Sequence, residues 1–271
     1  MTQSLTENIT KAFAAEPIAE GCCSRSGRWL LRADSDRDIT IKEGATVELL
    51  IVDEAAVANI NIDVLAGAEL RIVELITQRS ATDIAIAVAR DASCVMTQTV
   101  LSGSDSRVVA NLVEEGAMFE YRGAFILVGE EQGSVTVDVN HMSPRCTSRT
   151  TVKGVAADSS HGSFAGLVYV APDAQQTDSV QLSRNVTMGD ARIDTMPQLE
   201  IYADDVKCSH GATVGQMDSD AILYMRQRGL STAQAKRLQI EGFVQEVAMH
   251  SAIEGLKDEL MEAINVKLNT L

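Results

Sequence analysis

The sequence predicts an all-β solenoid that ends in a short helical segment, and three observations carry that prediction. A turn signal recurs at a nearly fixed interval. Each turn is followed by apolar and polar residues alternating with period two, the mark of a half-buried strand. Near residue 218 the alternation gives way to a helical period.

The turns Glu43-Gly44-Ala45, Ala66-Gly67-Ala68, Arg90-Asp91-Ala92 and Glu115-Gly116-Ala117 open the runs TVELLIVD, ELRIVELI, SCVMTQTV and MFEYRGAFILV, so that the alanines stand 23, 24 and 25 residues apart. One coil of this size cannot bury its inward face alone, whereas stacked coils form a continuous core, which points to a β-helix. An up-and-down meander is the competing reading, because roughly 24 residues also make two or three ordinary strands. The chain is 45% hydrophobic but only 4% aromatic, so the core is expected to be aliphatic.

Residues 1–37 are less patterned and are expected to form a lead-in, with a helix near residues 5–15 and a strand near residues 28–32. The β body is assigned to residues 38–217. Its repeat blurs after Gly133, although strand patterns continue as SVTVDVNHM, TVKGVAA, SFAGLVYVAP, DSVQLSRNV and QLEIYADDV. Pro17, Pro144, Pro172 and Pro197 are read as turn positions between these runs.

Residues 218–271 are assigned to helices. Asp218 or Ser219 caps the first, which stops at Gly229. Ser231 and Gln234 form a capping box for the second, which carries Leu238, Phe243 and Val247. A third amphipathic run places Ile253, Leu256, Leu260, Ile264 and Leu268 on one side. Such stripes pack more often on their own domain than on a partner, although a terminal tail also suits a partner.

Composition narrows the function. A net charge of −15 disfavours nucleic acid or an anionic membrane as a partner. No apolar run reaches the length of a membrane span, and no basic segment precedes an apolar one at the N-terminus, so a cytoplasmic location is expected. The five cysteines, Cys22, Cys23, Cys94, Cys146 and Cys208, are sparse and irregular, which fits a reducing compartment. There is no P-loop, dinucleotide fingerprint, C-x-x-C, H-E-x-x-H or G-x-S-x-G; Gly162-Ser163-Phe164-Ala165-Gly166 has its serine misplaced and reads as strand. The chain is therefore not expected to hydrolyse nucleotide itself through a P-loop.

Among the four histidines, His250 reads as an ordinary helix residue, His161 as a solvated turn residue, and His141 with Cys146 as packing. Adjacent Cys22 and Cys23 could share a metal only across a sharp bend. Cys208 and His210 are different. If residues 206–210 continue the strand LEIYADDV, both side chains point to one face, with Cα atoms roughly 6.5–7 Å apart. A thiolate and an imidazole so placed can meet one metal ion or one cluster edge, but they are two donors where a closed site needs four. Either the pair merely packs, or another subunit completes the site.

The segment around the pair resembles the signature of the SufB/SufD family, the scaffold subunits of SUF iron–sulfur cluster assembly, and its SufD branch in particular. The motif T-x-P-x-L-E-I-x-x-D-D-V-K-C-S-H-G-A-T-x-G is matched by Thr195, Pro197, Leu199-Glu200-Ile201, Asp204-Asp205-Val206-Lys207-Cys208-Ser209-His210-Gly211-Ala212-Thr213 and Gly215. The following DSDAILYMRQRGLS is similar to the family's helix junction, and weaker similarity extends the match over about residues 134–250, with coverage back to residue 40. The resemblance implies a right-handed parallel β-helix, paired end to end with a SufB-like paralogue. It implies helical docking of the ATPase SufC around Tyr224, Arg228, Gly229, Leu230 and Phe243. It also implies a transient iron–sulfur cluster near the subunit interface, with His210 contributing; a role for Cys208 is less defined. Typical members carry a helical region before the β-helix, here missing or reduced to residues 1–37, so a homodimer with the ATPase alone is the other assembly to consider.

Two further functions stand beside the scaffold: a β-helix interaction module in which Cys208 and His210 only pack, and a β-helix enzyme acting on acidic polysaccharide. Few aromatics and the acidic charge count against the enzyme.

Overall fold

The computed structural model describes residues 2–18, 22–23, 26–53 and 57–271. Helix α1 (Thr2–Phe13) leads into β1 (Glu16–Pro17), β2 (Cys22–Cys23), β3 (Gly27–Ala33), β4 (Arg37–Ile41), β5 (Thr46–Asp53), β6 (Val57–Val64), β7 (Glu69–Ile76) and β8 (Ala81–Val88). There follow β9 (Ser93–Val100), β10 (Asp105–Leu112), β11 (Met118–Leu127), β12 (Gln132–His141), β13 (Thr147–Ala156), β14 (His161–Val170), β15 (Thr177–Thr187), β16 (Arg192–Ile201) and β17 (Val206–Gln216). Odd strands form one nine-stranded sheet and even strands an eight-stranded one, each in sequence order. Every strand pairs in parallel with the next but one, as in β9–β11–β13 and β10–β12–β14. A meander would pair consecutive strands antiparallel. The chain is therefore a parallel β-solenoid, with one strand per sheet in each coil.

The turn signal is a stacked left-handed position. Gly44, Gly67, Asp91, Gly116, Arg145 and Gln176 have φ of 65°, 64°, 51°, 76°, 58° and 61°. Gly44, Gly67, Asp91, Gly116 and Arg145 each donate a backbone N–H to the residue preceding the next of them. The repeat does not decay after Gly133; it lengthens. Met118 stacks on Thr147 and Thr147 on Asp178, steps of 29 and 31 residues, because the strands grow from eight to ten or eleven residues. Where φ is positive a side chain costs about 1–2 kcal/mol, part of which glycine gives back through the unfolded chain. Gln176→Gly is thus expected to raise stability by up to about 1 kcal/mol, read as a higher denaturant midpoint.

The wider coils also change the filling. Early coils are closed by Val47, Leu49, Ile60, Ile62, Ile84 and Ile86, whereas the later ones take Phe119, Tyr121, Phe125 and Phe164. Pro17 and Pro197 lie inside strands β1 and β16, not in turns. Both strands are sheet edges, where a missing N–H breaks no ladder bond.

Three C-terminal α-helices follow: α2 (Ser219–Gln227), α3 (Thr232–Met249) and α4 (Lys257–Leu268). Asp218 caps α2, accepting from the backbone of Asp220 and Ala221, and the Ser231–Gln234 capping box opens α3. Helices α3 and α4, with α1, cover the outer face of the odd sheet. There Ile240, Val244, Leu256, Leu260 and Ile264 meet Leu50, Val73, Leu75, Ile126 and Val155. Polar contacts fix the register: Lys153 Nζ donates to the carbonyl of Phe243 at 2.7 Å and pairs with Glu246, and Ala252 N–H donates to Thr97 Oγ1 at 2.9 Å. Lys267 pairs with Glu131 at 2.7 Å. Leu238, expected on the packed face, is exposed; Ala235, Ile240, Val244 and Val247 make that face instead.

Candidate functional site

The solenoid ends on two free edges, β16 and β17. Residues 206–210 do not continue the preceding strand: the chain turns at Ala203–Asp205 and crosses to the other sheet as β17. Cys208 and His210 still share a face, because both lie in one strand two residues apart. That face is the solenoid's inner one. Cys208 is in register with Ser179 and His210 with Gln181, both fully buried inward residues of β15. Gly211 and Gly215 are strand residues of β17.

The rest of the motif divides around this pair. Glu200 on β16 and Lys207 and Thr213 on β17 are exposed, and the Thr213 carbonyl accepts from Asn185 Nδ2 at 3.1 Å. Asp204 and Asp205 form the exposed turn, held by the Gln175 side chain, whose Oε1 accepts the Asp205 N–H at 2.9 Å. Thr195 bridges inward to Ser183 at 3.2 Å. The motif's acidic and basic residues thus shape the rim, while the thiol and imidazole face the end of the core.

Burial pushes the Cys208 thiol up; a hydrogen bond with the Ser179 backbone opposes this, and the Asp178 charge adds to it. The isolated chain therefore presents a protonated thiol, and binding through sulfur must release that proton. Cys94, Cys146 and Cys208 are free thiols, and burial raises the first two as well. The side chains of Cys22 and Cys23 lie outside the described residues. Among the described residues no three His, Cys, Asp or Glu side chains group closely enough to hold a metal ion.

Beneath the site runs a polar file that the residue pattern did not single out. His141 Nε2 meets Ser148 Oγ at 2.8 Å, and Ser148 meets Ser179 Oγ at 2.8 Å, one residue per strand toward Cys208. From Ser148 through Ser179 to Cys208 it follows coil steps of 31 and 29 residues, legible only once the lengthened repeat is followed, whereas His141 and Ser148 lie seven residues apart. Burial pulls His141 down to about 4. Unfolded, it titrates near 6.5. Between these values the unfolded chain binds the extra proton, so stability falls as pH drops from about 6.5 to about 4, by on the order of 3 kcal/mol. Denaturant midpoints at pH 7, 5.5 and 4 measure this, and His141→Gln should flatten the trend. His161, expected in a turn, opens β14 and is exposed, with Nε2 2.9 Å from Asp194 Oδ2. His250 follows α3 and is exposed.

In the tail, α2 buries no residue, and Leu223 and Tyr224 are 52% and 54% exposed. The Arg228 guanidinium lies 4.5 Å from the Tyr224 ring centroid, Gly229 turns the chain at φ 100°, and Leu230 is half-buried. Phe243 differs from these: its ring lies under Lys153, 4.8 Å from Nζ, and packs on the chain's own body.

Residues 19–243 match the family model for the SufBD core domain of SUF-system FeS cluster assembly. The chain belongs to the SufBD core family. The SufBD match takes in β2 through β17, α2 and α3 as far as Phe243. The chain is similar to the iron–sulfur cluster assembly protein SufD of Escherichia coli, 42% identical over 131 residues, which is 48% of this chain and 31% of that protein. A SufBD family protein of Synechocystis is 34% identical over 157 residues, 57% of this chain and 34% of that protein. SufD of Bacillus subtilis is 30% identical over 164 residues, 60% and 38% of the two chains. The chain thus spans about a third of the length of these curated relatives. No helix among the described residues is long and apolar enough to cross a membrane.

Proposed function

We propose that this chain is a scaffold subunit of SUF iron–sulfur cluster assembly, with its cluster site completed by a second subunit set against the open end of the solenoid. One observation carries the reading: Cys208 and His210 stand on the inner face of the terminal strand, beside two unpaired edges. An exposed edge is a template for another strand. The β17 edge is eleven residues long and free of proline, whereas the β16 edge is interrupted at Pro197. A SufB-like paralogue or a second copy of this chain would extend the sheets there and bring its own donors to face the pair. Two donors are half of what a cluster usually takes. A ligand set split across an interface weakens when the subunits move apart, which suits a cluster carried as cargo and held only transiently. Residues 38–217 then act as the scaffold body, with residues 1–37 as lead-in and 218–271 as the helical segment; ATP hydrolysis belongs to the partner, and a cytoplasmic setting fits the free thiols.

The tail receives a SufC-like ATPase in this reading. The groove lined by Leu223, Arg226, Gln227 and Leu230 is open, and Tyr224 stands exposed beside it, held by Arg228. Gly229 sets the turn between α2 and α3, and Phe243 keeps α3 on the body so that α2 is presented. Tyr224→Ala is expected to weaken ATPase binding about tenfold or more, as for an aromatic anchor, without shifting the thermal midpoint; calorimetric titration measures it. The assembly itself is tested by co-purifying the chain with a SufC-like ATPase and a SufB-like paralogue and measuring mass in solution. A complex of all three supports the heteromeric scaffold, two copies with the ATPase the homodimeric one, and no association with either sinks the proposal.

A further inference from the structure

In-register neighbours on this solenoid repeatedly bond to one another through their side chains. Asn140 donates to Asn111 at 2.8 Å, Asn61 to Asp38 at 2.8 Å, Ser134 to Asp105 at 2.5 Å and Gln98 to Glu74, and Ser148 pairs with Ser179. In each case the two residues are Cα partners in adjacent parallel strands. Gln181 and His210 are partners of the same kind, an amide under an imidazole. Here the bond is not made. Gln181 is fully buried, and neither its Nε2 nor its Oε1 has a hydrogen-bond partner. Its amide reaches across the interior to the glycine of the facing sheet: a Cβ on Gly166 would stand 2.4 Å from Gln181 Nε2. Gly166 is in turn in register with Pro197 of the last coil, so the amide lies directly under the open end.

A buried amide left unbonded costs free energy that a partner at that end would return. A ligating histidine, for its part, almost always donates its second ring N–H to a carbonyl or carboxylate, which fixes the tautomer and aims the other nitrogen. We infer that Gln181 is the positioning residue for His210: turned from its place against Gly166 toward its register partner, its Oε1 accepts the imidazole N–H, and the opposite ring nitrogen is held toward the subunit interface. The glycine at 166 is what leaves room for the long side chain to lie in the interior. The inference rests on the reading of His210 as a cluster-site residue, but its test does not require a loaded cluster.

The experiment uses the full chain labelled with 15N at histidine, with His210 assigned through His210→Gln, and reads the ring tautomer from two-bond 1H–15N correlations at pH 8. The expected result is one dominant His210 tautomer in the parent chain, a mixture of both in Gln181→Met, and recovery in Gln181→Glu, which keeps an acceptor oxygen. Gln181→Met preserves volume and removes one hydrogen bond to an exposed imidazole, so its thermal midpoint should stay close to the parent's. A midpoint that falls while the tautomer is unmoved assigns Gln181 a purely structural role and overturns the inference. An unchanged tautomer in a variant of unchanged stability overturns it equally. Cluster assembly with His210→Ala is scored separately: if assembly is unaffected while Gln181→Met still moves the tautomer, the cluster-site reading fails and the positioning contact stands.

Discussion

His210→Ala is expected to cut cluster assembly on the complex by more than about tenfold, since loss of even an outer-shell partner of a metal ligand costs 10–100-fold. The fold should not notice. His210 is exposed at the end of the solenoid, and surface substitutions of this kind stay within about 0.5 kcal/mol. The measurement is iron and acid-labile sulfide retained per complex after reconstitution, alongside the thermal midpoint of the variant. Retention at the parent level would remove His210 from the site and favour the interaction-module reading. Cys208→Ser run in parallel separates the two donors: its thiol is half-buried and held protonated by that burial, so its contribution depends on proton release, whereas the imidazole can donate a lone pair directly. Equal loss in both variants would mean that both donors hold the cluster. Loss in His210→Ala alone would leave Cys208 as packing against the small apolar cluster of Val168, Val170, Ala171, Ala174 and Ala203.

Leu260→Asp is expected to release the helical tail. Leu260 is fully buried in the seam between the helices and the odd sheet, and an unpaired carboxylate there should cost more than about 3 kcal/mol. The solenoid coils hold one another by nearest-neighbour stacking. The damage should therefore stay local and appear as cleavage of the tail by a trace protease while residues of the β body remain protected. The Lys153, Thr97 and Lys267 contacts that pin the tail are too few to hold it once the seam is broken. A single cooperative loss of the whole chain would show instead that the helices and coils fold as one unit. ATPase binding by the released tail is informative as well: if α2 alone suffices, binding survives; if α3 must be held on the body to present α2, it is lost.

The coil architecture was legible in the sequence because it rests on local rules. Turn residues at one interval and period-two alternation leave few ways to bury an aliphatic face, and stacking is the one the chain adopts. The helix caps at Asp218 and Ser231 were legible for the same reason, since a cap is a contact between residues two or three apart. The pairing of Cys208 with His210 on one strand face followed from period two alone. Which face that was did not. Only the tertiary structure decided that β17 is a separate strand, that its inner face meets Ser179 and Gln181, and that the lengthened 31-residue step stacks Ser148, already bonded to His141, on Ser179. It also decided that Leu238 faces solvent while Phe243 lies under Lys153. These are contacts between residues far apart in the chain. Their register is set by how many residues each coil takes to close, and a change of a few residues in that number moves every later neighbour, which no local pattern records.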